Sequence, residues 1–333
     1  MGKFIMLKVF ILMKLSHFFN KEFAMLKFFV FWSLFTATSF SFASVFSLNE
    51  DYLYFQSHQQ ENLSPNEISI LDRYHFVFVA GFLNERARKR YFKDNISTLQ
   101  KNKIENISVL FPSSQKSVST NINVMHSEIL RLYREGKDKP LIIFGHSKGG
   151  IEALATVLQD TSLLHREVSR IIAFQSPFNG NELLDRWLKP TSMHFDSLDG
   201  MNSLRGDQVY NVIQNKFIEL SDEEKKRVSS SFYYISTSRI PSEMSYIFRL
   251  SGYLMMTKKV PSDGVVATKN MDLELFGQKL GHIKADHTEV VVAHTRGLNI
   301  ASKEKTQAFT MALLKNILKE ISPAALSQAA AAK

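Results

Sequence analysis

No cysteine occurs in the 333 residues, so neither a disulfide nor a thiolate metal site can hold this chain together. Proline and glycine are sparse, at 8 and 14, which excludes a collagen repeat or extended low complexity. Nor does one charge sign dominate: 41 Lys and Arg stand against 32 Asp and Glu. No basic stripe interleaved with aromatic residues marks a nucleic-acid-binding face, so no nucleic-acid partner is expected. At 44% hydrophobic and 22% charged, the composition is that of a globular protein with one large domain or two ordinary ones.

The first 43 residues differ from the rest, holding 11 of the 27 phenylalanines, five lysines and one acid, Glu22. From Phe28 to Leu48 there is no charge at all, with Lys21 and Lys27 ahead and Ser41 and Ala43 two apart near the end. A basic flank, an apolar run and small residues at a cleavage point make a signal peptide over 1–43, cut after Ala43. Met25 is a second candidate start, since Met25-Leu26-Lys27 opens a leader of ordinary length. The alternative is an uncleaved anchor, because 21 uncharged residues can just span a bilayer. Serine and threonine crowd the second half of the run and favour cleavage. Either outcome carries the body out of the cytoplasm, as an exported or an N-terminally anchored protein.

Residues 44–72 are polar and mixed, a leading segment with room for one short helix. Beyond them Phe76 to Ala80, Leu141 to Phe144 and Ile171 to Phe174 are short runs apolar at every position, and Ile107 to Phe111 is another broken only by Ser108, as strands covered on both faces are. Between them Ile122, Met125, Ile129 and Leu132, then Ile151, Leu154, Val157 and Leu158, recur at helical spacing. Phe309, Leu313 and Ile317 do so near the end. Alternating strand and helix predict an α/β domain over 73–322 with a mostly parallel sheet and helices on both faces. The polar stretch 181–231, with scattered residues such as Leu183, Trp187 and Met201, breaks the rhythm and reads as an insertion. The Ala-rich tail 323–333 reads as a frayed end.

Gly145-His146-Ser147-Lys148-Gly149-Gly150 follows an apolar strand and opens a helical pattern. This G-x-S-x-G spacing suits a turn so tight that the serine is strained and its hydroxyl stands clear of the sheet, which calls for Gly145 and Gly149 beside it. A phosphate loop does not fit, since Lys148 follows the serine instead of ending a Gly-Lys-Ser/Thr run.

A serine needs a base and an orienting acid. In elbows of this type they follow in the order Ser, Asp or Glu, His. Asp263 sits in the turn-forming Pro261-Ser262-Asp263-Gly264-Val265-Val266, and His287 follows it by 24 residues. Of the histidines after Asp263, His282, His287 and His294 are all candidates. His287 is preferred for its polar flanks ahead of the apolar run Val290 to Ala293, which could begin a helix. The oxyanion of such a reaction needs two backbone N–H donors. Lys148 supplies one, and the loop after the first strand, Gly81-Phe82-Leu83, supplies the other, with Phe82 preferred.

With these residues placed, the chain resembles the α/β-hydrolase superfamily, and within it bacterial triacylglycerol lipases and esterases. Gly145 to Gly150 is similar to the family's G-H-S-x-G-G elbow, Ser262 to Val266 to its acid turn, and Asp286-His287 to its histidine loop. Ser176-Pro177-Phe178-Asn179-Gly180 is similar to its T-P-H-x-G stretch. The resemblance implies the α/β-hydrolase fold with the insertion as a cap, and hydrolysis of small-molecule or lipid esters through an acyl-enzyme, with lipid-surface contact through the cap. It implies no cofactor and no metal; Glu289 alone does not make the calcium site some relatives have. Two departures stand out: Ala80-Gly81 replaces the usual His-Gly before the oxyanion residue, and Phe178 replaces the histidine of T-P-H. An acyltransferase with the same triad and a non-catalytic binding protein of the same fold are the alternatives.

Overall fold

The computed structural model describes residues 47–82, 84–181, 203–257, 259–273, 275–292 and 303–321. The expected signal peptide, the Ala-rich tail, Leu83, His294 and residues 182–202 of the expected cap lie outside the described residues.

Six strands form one sheet: β1 (His75–Val79), β2 (Ile107–Leu110), β3 (Leu141–His146), β4 (Val168–Phe174), β5 (Phe232–Ser238) and β6 (Gln278–Lys284). Their order is β2-β1-β3-β4-β5-β6, and every neighbouring pair is parallel. The apolar runs in the sequence become β1 to β4. Strand β6, at the edge opposite β2, carries no such run and alternates between core and solvent. Leu280 and Ile283 are buried while Gln278, His282 and Lys284 face solvent.

Eight helices of seven residues or more accompany the sheet among the described residues. They are α1 (Ser47–Ser57), α2 (Pro65–Leu71), α3 (Lys93–Lys101), α4 (Val118–Glu135), α5 (Lys148–Gln159), α6 (Asp222–Ser231), α7 (Tyr246–Met256) and α8 (Lys303–Ile321). The leading segment thus forms two helices. The second is started by the Ser64 and Glu67 side chains capping each other's backbone.

Successive strand residues point to opposite faces, and the core divides accordingly. Phe76, Phe78, Ile142, Phe144, Ile172 and Phe174 pack with Leu48 and Tyr52 of α1, Leu99 of α3 and Phe309 and Leu313 of α8. On the other face Val77, Val79, Ile143, Ile171 and Ala173 pack with Ile122 and Ile129 of α4 and Ile151 and Leu154 of α5. The described part of the expected cap joins this second face. Leu204, Val209, Ile213, Phe217 and Val228 are buried there beside α5, so residues 203–231 serve as the packed crossover from β4 to β5. Among the described residues no helix is long and apolar enough to cross a membrane.

The chain leaves β1 toward β2 on one side and returns to β3 on the other, so the strand order reverses between β1 and β3. In an open parallel sheet such a reversal leaves a crevice at the carboxyl ends of the strands. Gly81-Phe82 follows β1, Ser147 follows β3, Gln175 follows β4, and the loops bearing Asp263 and His287 follow β5 and β6.

Phe144 is central to the first face, with its ring 6.1 Å from Phe76 and 5.0 Å from Phe78. Phe144→Ala is expected to lower the unfolding free energy in urea by about 3–5 kcal/mol; a loss below about 1 kcal/mol would show that the sheet face is not packed as described.

Candidate active site

Ser147 leaves β3 and enters α5 in a single residue. Its backbone sits at φ 54° and ψ −126°, a left-handed conformation that costs on the order of 1–3 kcal/mol for a residue with a side chain. The turn closes with the Ser147 amide donating to Phe174 O at 3.1 Å and the Gly150 amide donating to Ser147 O at 3.1 Å. The glycines around it are required by space. A Cβ on Gly145 would lie 2.5 Å from Gly150 Cα, one on Gly149 2.5 Å from Val79 O, and one on Gly150 2.1 Å from Ser176 Oγ.

Asp263 is fully buried in its turn. Its Oδ1 accepts from the Val265 and Val266 amides at 2.9 and 2.8 Å, and Gly264 makes the bend at φ +94°. His287 Nδ1 lies 2.7 Å from Asp263 Oδ2, and the His287 amide donates to Asp263 O at 2.9 Å. A carboxylate that accepts on every side leaves Nδ1 to carry the hydrogen. Nε2 is then free to accept from the Ser147 hydroxyl, 3.0 Å away. The structure therefore brings Ser147, Asp263 and His287 into one line of hydrogen bonds.

Their rivals are placed elsewhere. His282 is exposed on β6 with its ring nitrogens on Ser236 Oγ and Ser238 Oγ, at 3.0 and 2.9 Å. The Asp286 carboxylate accepts from the Ser245 amide and hydroxyl at 2.7 and 2.6 Å and from the Thr288 and Glu289 amides at 3.0 and 3.1 Å. It holds the histidine loop and makes no contact with the imidazole. Val290 to Val292 form a turn, with Val292 bridged to Tyr91, and the next helix among the described residues begins at Lys303. Glu289 is paired with Arg239 and Lys305, and no cluster able to hold a metal is found among the described residues.

The loop after β1 abuts the serine. A Cβ on Gly81 would come within 2.8 Å of Ser147 Cβ and of His146 O, so the backbone carrying Phe82 passes directly beside the hydroxyl-bearing residue. Lys148 is the first residue of α5, where the amides have no partner inside the helix and carry its positive dipole end. Phe178, in place of the family's histidine, is buried against the Phe232 ring at 5.5 Å and serves packing.

Behind these groups lies a polar network that no sequence motif marks. The Gly81 amide donates to Tyr91 Oη at 3.0 Å, and Tyr91 Oη lies 2.6 Å from His146 Nδ1. His146 Nε2 is 2.9 Å from His287 O and 3.0 Å from Gln175 Oε1. Both of those partners only accept, so Nε2 bears the hydrogen and Tyr91 donates to Nδ1. Burial, and next electrostatic repulsion from the neighbouring His287 ring, hold the His146 pKa well below the usual histidine value, keeping it neutral in this one tautomer. Gln175 Nε2 donates to Asp286 O at 2.7 Å and to Thr237 Oγ1 at 3.0 Å. The oxyanion loop and the histidine loop are thus tied together through the residue that precedes the serine.

On the other side of the elbow Lys148 is buried. Its Nζ donates to Ser113 O at 3.1 Å and Lys116 O at 2.5 Å and pairs with Glu152 Oε1 at 3.1 Å. Asn121 donates to the same carboxylate at 2.6 Å. Burial pushes the Glu152 carboxyl from an ordinary 4.5 up to about 7, against the downward pull of Lys148 and Asn121.

Residues 85–198 match the family model of the PGAP1-like alpha/beta domain, a span that contains the elbow and ends before Asp263. The fold is similar to a metagenomic carboxyl esterase, with a TM-score of 0.58 and 18% identity over 75% of this chain and 76% of that one. It is also similar to the mature form of a Bacillus licheniformis lipase, with a TM-score of 0.54 and 17% identity over 73% of this chain and 93% of that one. No match was found among curated protein sequences.

Two measurements check this geometry. Tyr91→Phe leaves the buried Gly81 amide without an acceptor and is expected to lower stability by about 1–3 kcal/mol; an unchanged urea midpoint would contradict the network. The unfolded Glu152 carboxyl releases its proton near pH 4.5 and the folded one near 7, so folding takes up a proton across that window and stability falls as pH rises through it. Glu152→Gln is expected to flatten that decline between pH 5 and 8, a difference on the order of 2–3 kcal/mol across the window; parallel parent and variant curves would contradict it.

Proposed function

The chain has the α/β-hydrolase fold, and we propose that it is a serine hydrolase that cleaves carboxylic esters through an acyl-enzyme. One observation carries the reading: the Ser147 hydroxyl 3.0 Å from His287 Nε2, with His287 Nδ1 2.7 Å from the buried carboxylate of Asp263. That is the geometry in which an imidazole accepts a hydroxyl proton while a carboxylate holds its other nitrogen protonated.

Ser147 Oγ attacks the ester carbonyl as its proton passes to His287 Nε2. The tetrahedral oxyanion is held by the amides of Lys148 and Phe82, at the positive end of α5. His287 then gives the proton to the departing alkoxide, which leaves as the alcohol, and Ser147 remains acylated. Water enters, loses a proton to His287 and attacks the acyl carbon; Ser147 Oγ leaves, recovers the proton, and the carboxylic acid is released. Asp263 stabilises the imidazolium in both halves without itself being protonated.

The substrate in this proposal is a small-molecule or lipid ester. The uncharged run from Phe28 to Leu48 behind Lys21 and Lys27 supports work outside the cytoplasm.

Hydrolysis of p-nitrophenyl esters from short to long acyl chains tests the reading. The parent is expected to release p-nitrophenol, Ser147→Ala to lose at least about 10³-fold in kcat/KM, and Asp263→Asn to lose about 10⁴-fold through the wrong imidazole tautomer. A Ser147→Ala protein as active as its parent would end the proposal.

A further inference from the structure

Helix α7 exposes more large apolar side chains than any other described helix. Of the large apolar side chains exposed among the described residues, Tyr246, Ile247, Leu250, Tyr253 and Met256 all belong to it, with Tyr246 at 72% and Leu250 at 74%. Their spacing puts them on one broad side of the helix. The opposite side is already occupied. Phe248 lies with its ring 6.2 Å from His287, Ser251 Oγ donates to Gly264 O at 2.5 Å, and Gly252 and Met255 are buried. At its start Ser245 is held by the Asp286 carboxylate. The helix is therefore fixed to both the acid loop and the histidine loop, and it cannot turn its bare side inward without releasing them.

The segment that carries this ridge is basic in sequence. From Tyr246 to Ser262 the sequence holds Arg249, Lys258 and Lys259 and no acid. At the end of the ridge a cavity of about 430 Å³ is lined by Ile240, Pro241 and Met256 together with Arg239, Lys259 and Lys284. Glu243 answers part of that charge, since it pairs with Lys284 and lies near Arg239, and Arg239 also pairs with Glu289. Two tyrosines flank Leu250, and tyrosine suits a boundary that is apolar on one side and wet on the other. An apolar helix face with basic residues at its margin matches a lipid layer with anionic head groups, in which such a helix lies in the interfacial plane.

We propose that the outer face of α7, with the basic cavity at its end, docks the protein on an anionic lipid surface. The surface differs from the cap expected from the sequence, whose described residues 203–231 pack against the sheet. Docking goes beyond the ester-hydrolase reading, because it needs no turnover.

The test uses the Ser147→Ala full chain, so that no lipid is consumed, and sedimentation with vesicles of phosphatidylcholine alone or with about one-third phosphatidylglycerol. Partitioning is expected to be at least about ten-fold stronger on the phosphatidylglycerol vesicles and to weaken with salt. Leu250→Asp is expected to reduce it about ten-fold or more on both. Lys259→Glu is expected to reduce only the advantage of the anionic vesicles. In the catalytically intact chain, Leu250→Asp is expected to hydrolyse soluble p-nitrophenyl butyrate at the parent rate, which separates docking from chemistry. No sedimentation with either vesicle, or equal sedimentation of parent and Leu250→Asp, would overturn the proposal. So would a dimer in solution that Leu250→Asp dissolves, since a second copy would then cover the ridge.

Discussion

A chain that must leave a strand and begin a helix within one residue has almost no freedom, and Ser147 shows what that demands. Its backbone is held at φ 54° and ψ −126°, and the helix that follows presses so closely on β1, β3 and Ser176 that Gly145, Gly149 and Gly150 have no room for a methyl group. The cost of the left-handed residue is carried by the sheet around it, with β3 paired to β1 from Leu141 to Gly145 and to β4 as far as His146. The result fixes a hydroxyl and a helix N-terminus within reach of the same point. Every other feature of the site is arranged around that point.

What is arranged comes from four separate strands, so it has to be held in register. The neutral imidazole of His146 does much of this, reaching Tyr91 and through it the loop after β1, and reaching His287 O and Gln175 on the other side. Buried polar groups are stabilising only when each is satisfied, and here each donor meets an acceptor in a single consistent tautomer. Lys148 and Glu152 anchor the far side of the elbow to the loop after β2. The same residues that form the motif in the sequence are therefore also its supports.

Much of this was legible in the sequence, for physical reasons. Strands covered on both faces are apolar at nearly every position, so β1, β3 and β4 stand out; of the two edge strands, β2 keeps an apolar run broken by Ser108, while β6 alternates and does not stand out. The elbow is legible because the turn restricts which residues fit, and Asp263 because its turn needs Gly264 at φ +94°. The polar flanks of His287 favour it over His282 in the sequence, and the fold supplies the reason, since its loop is the one that comes back to the serine. Tyr91, Gln175 and Thr237 could not be identified in advance, because they lie far from the motifs and act through single hydrogen bonds. The polar composition of 181–231 suggested a cap, yet Val209, Ile213 and Phe217 sit at helical spacing and are buried, a pattern weakened by Asn211, Gln214, Asn215 and Lys216 between them.

The account converges on one atom, Ser147 Oγ, made nucleophilic by His287 and Asp263. The most direct measurement is to treat the purified protein with a fluorophosphonate, digest it and locate the adduct by mass spectrometry. The account predicts one phosphonyl group per chain, on the peptide containing Ser147, formed faster as pH rises from acidic values and absent after denaturation. An adduct on another residue, or none on a folded protein, would contradict it.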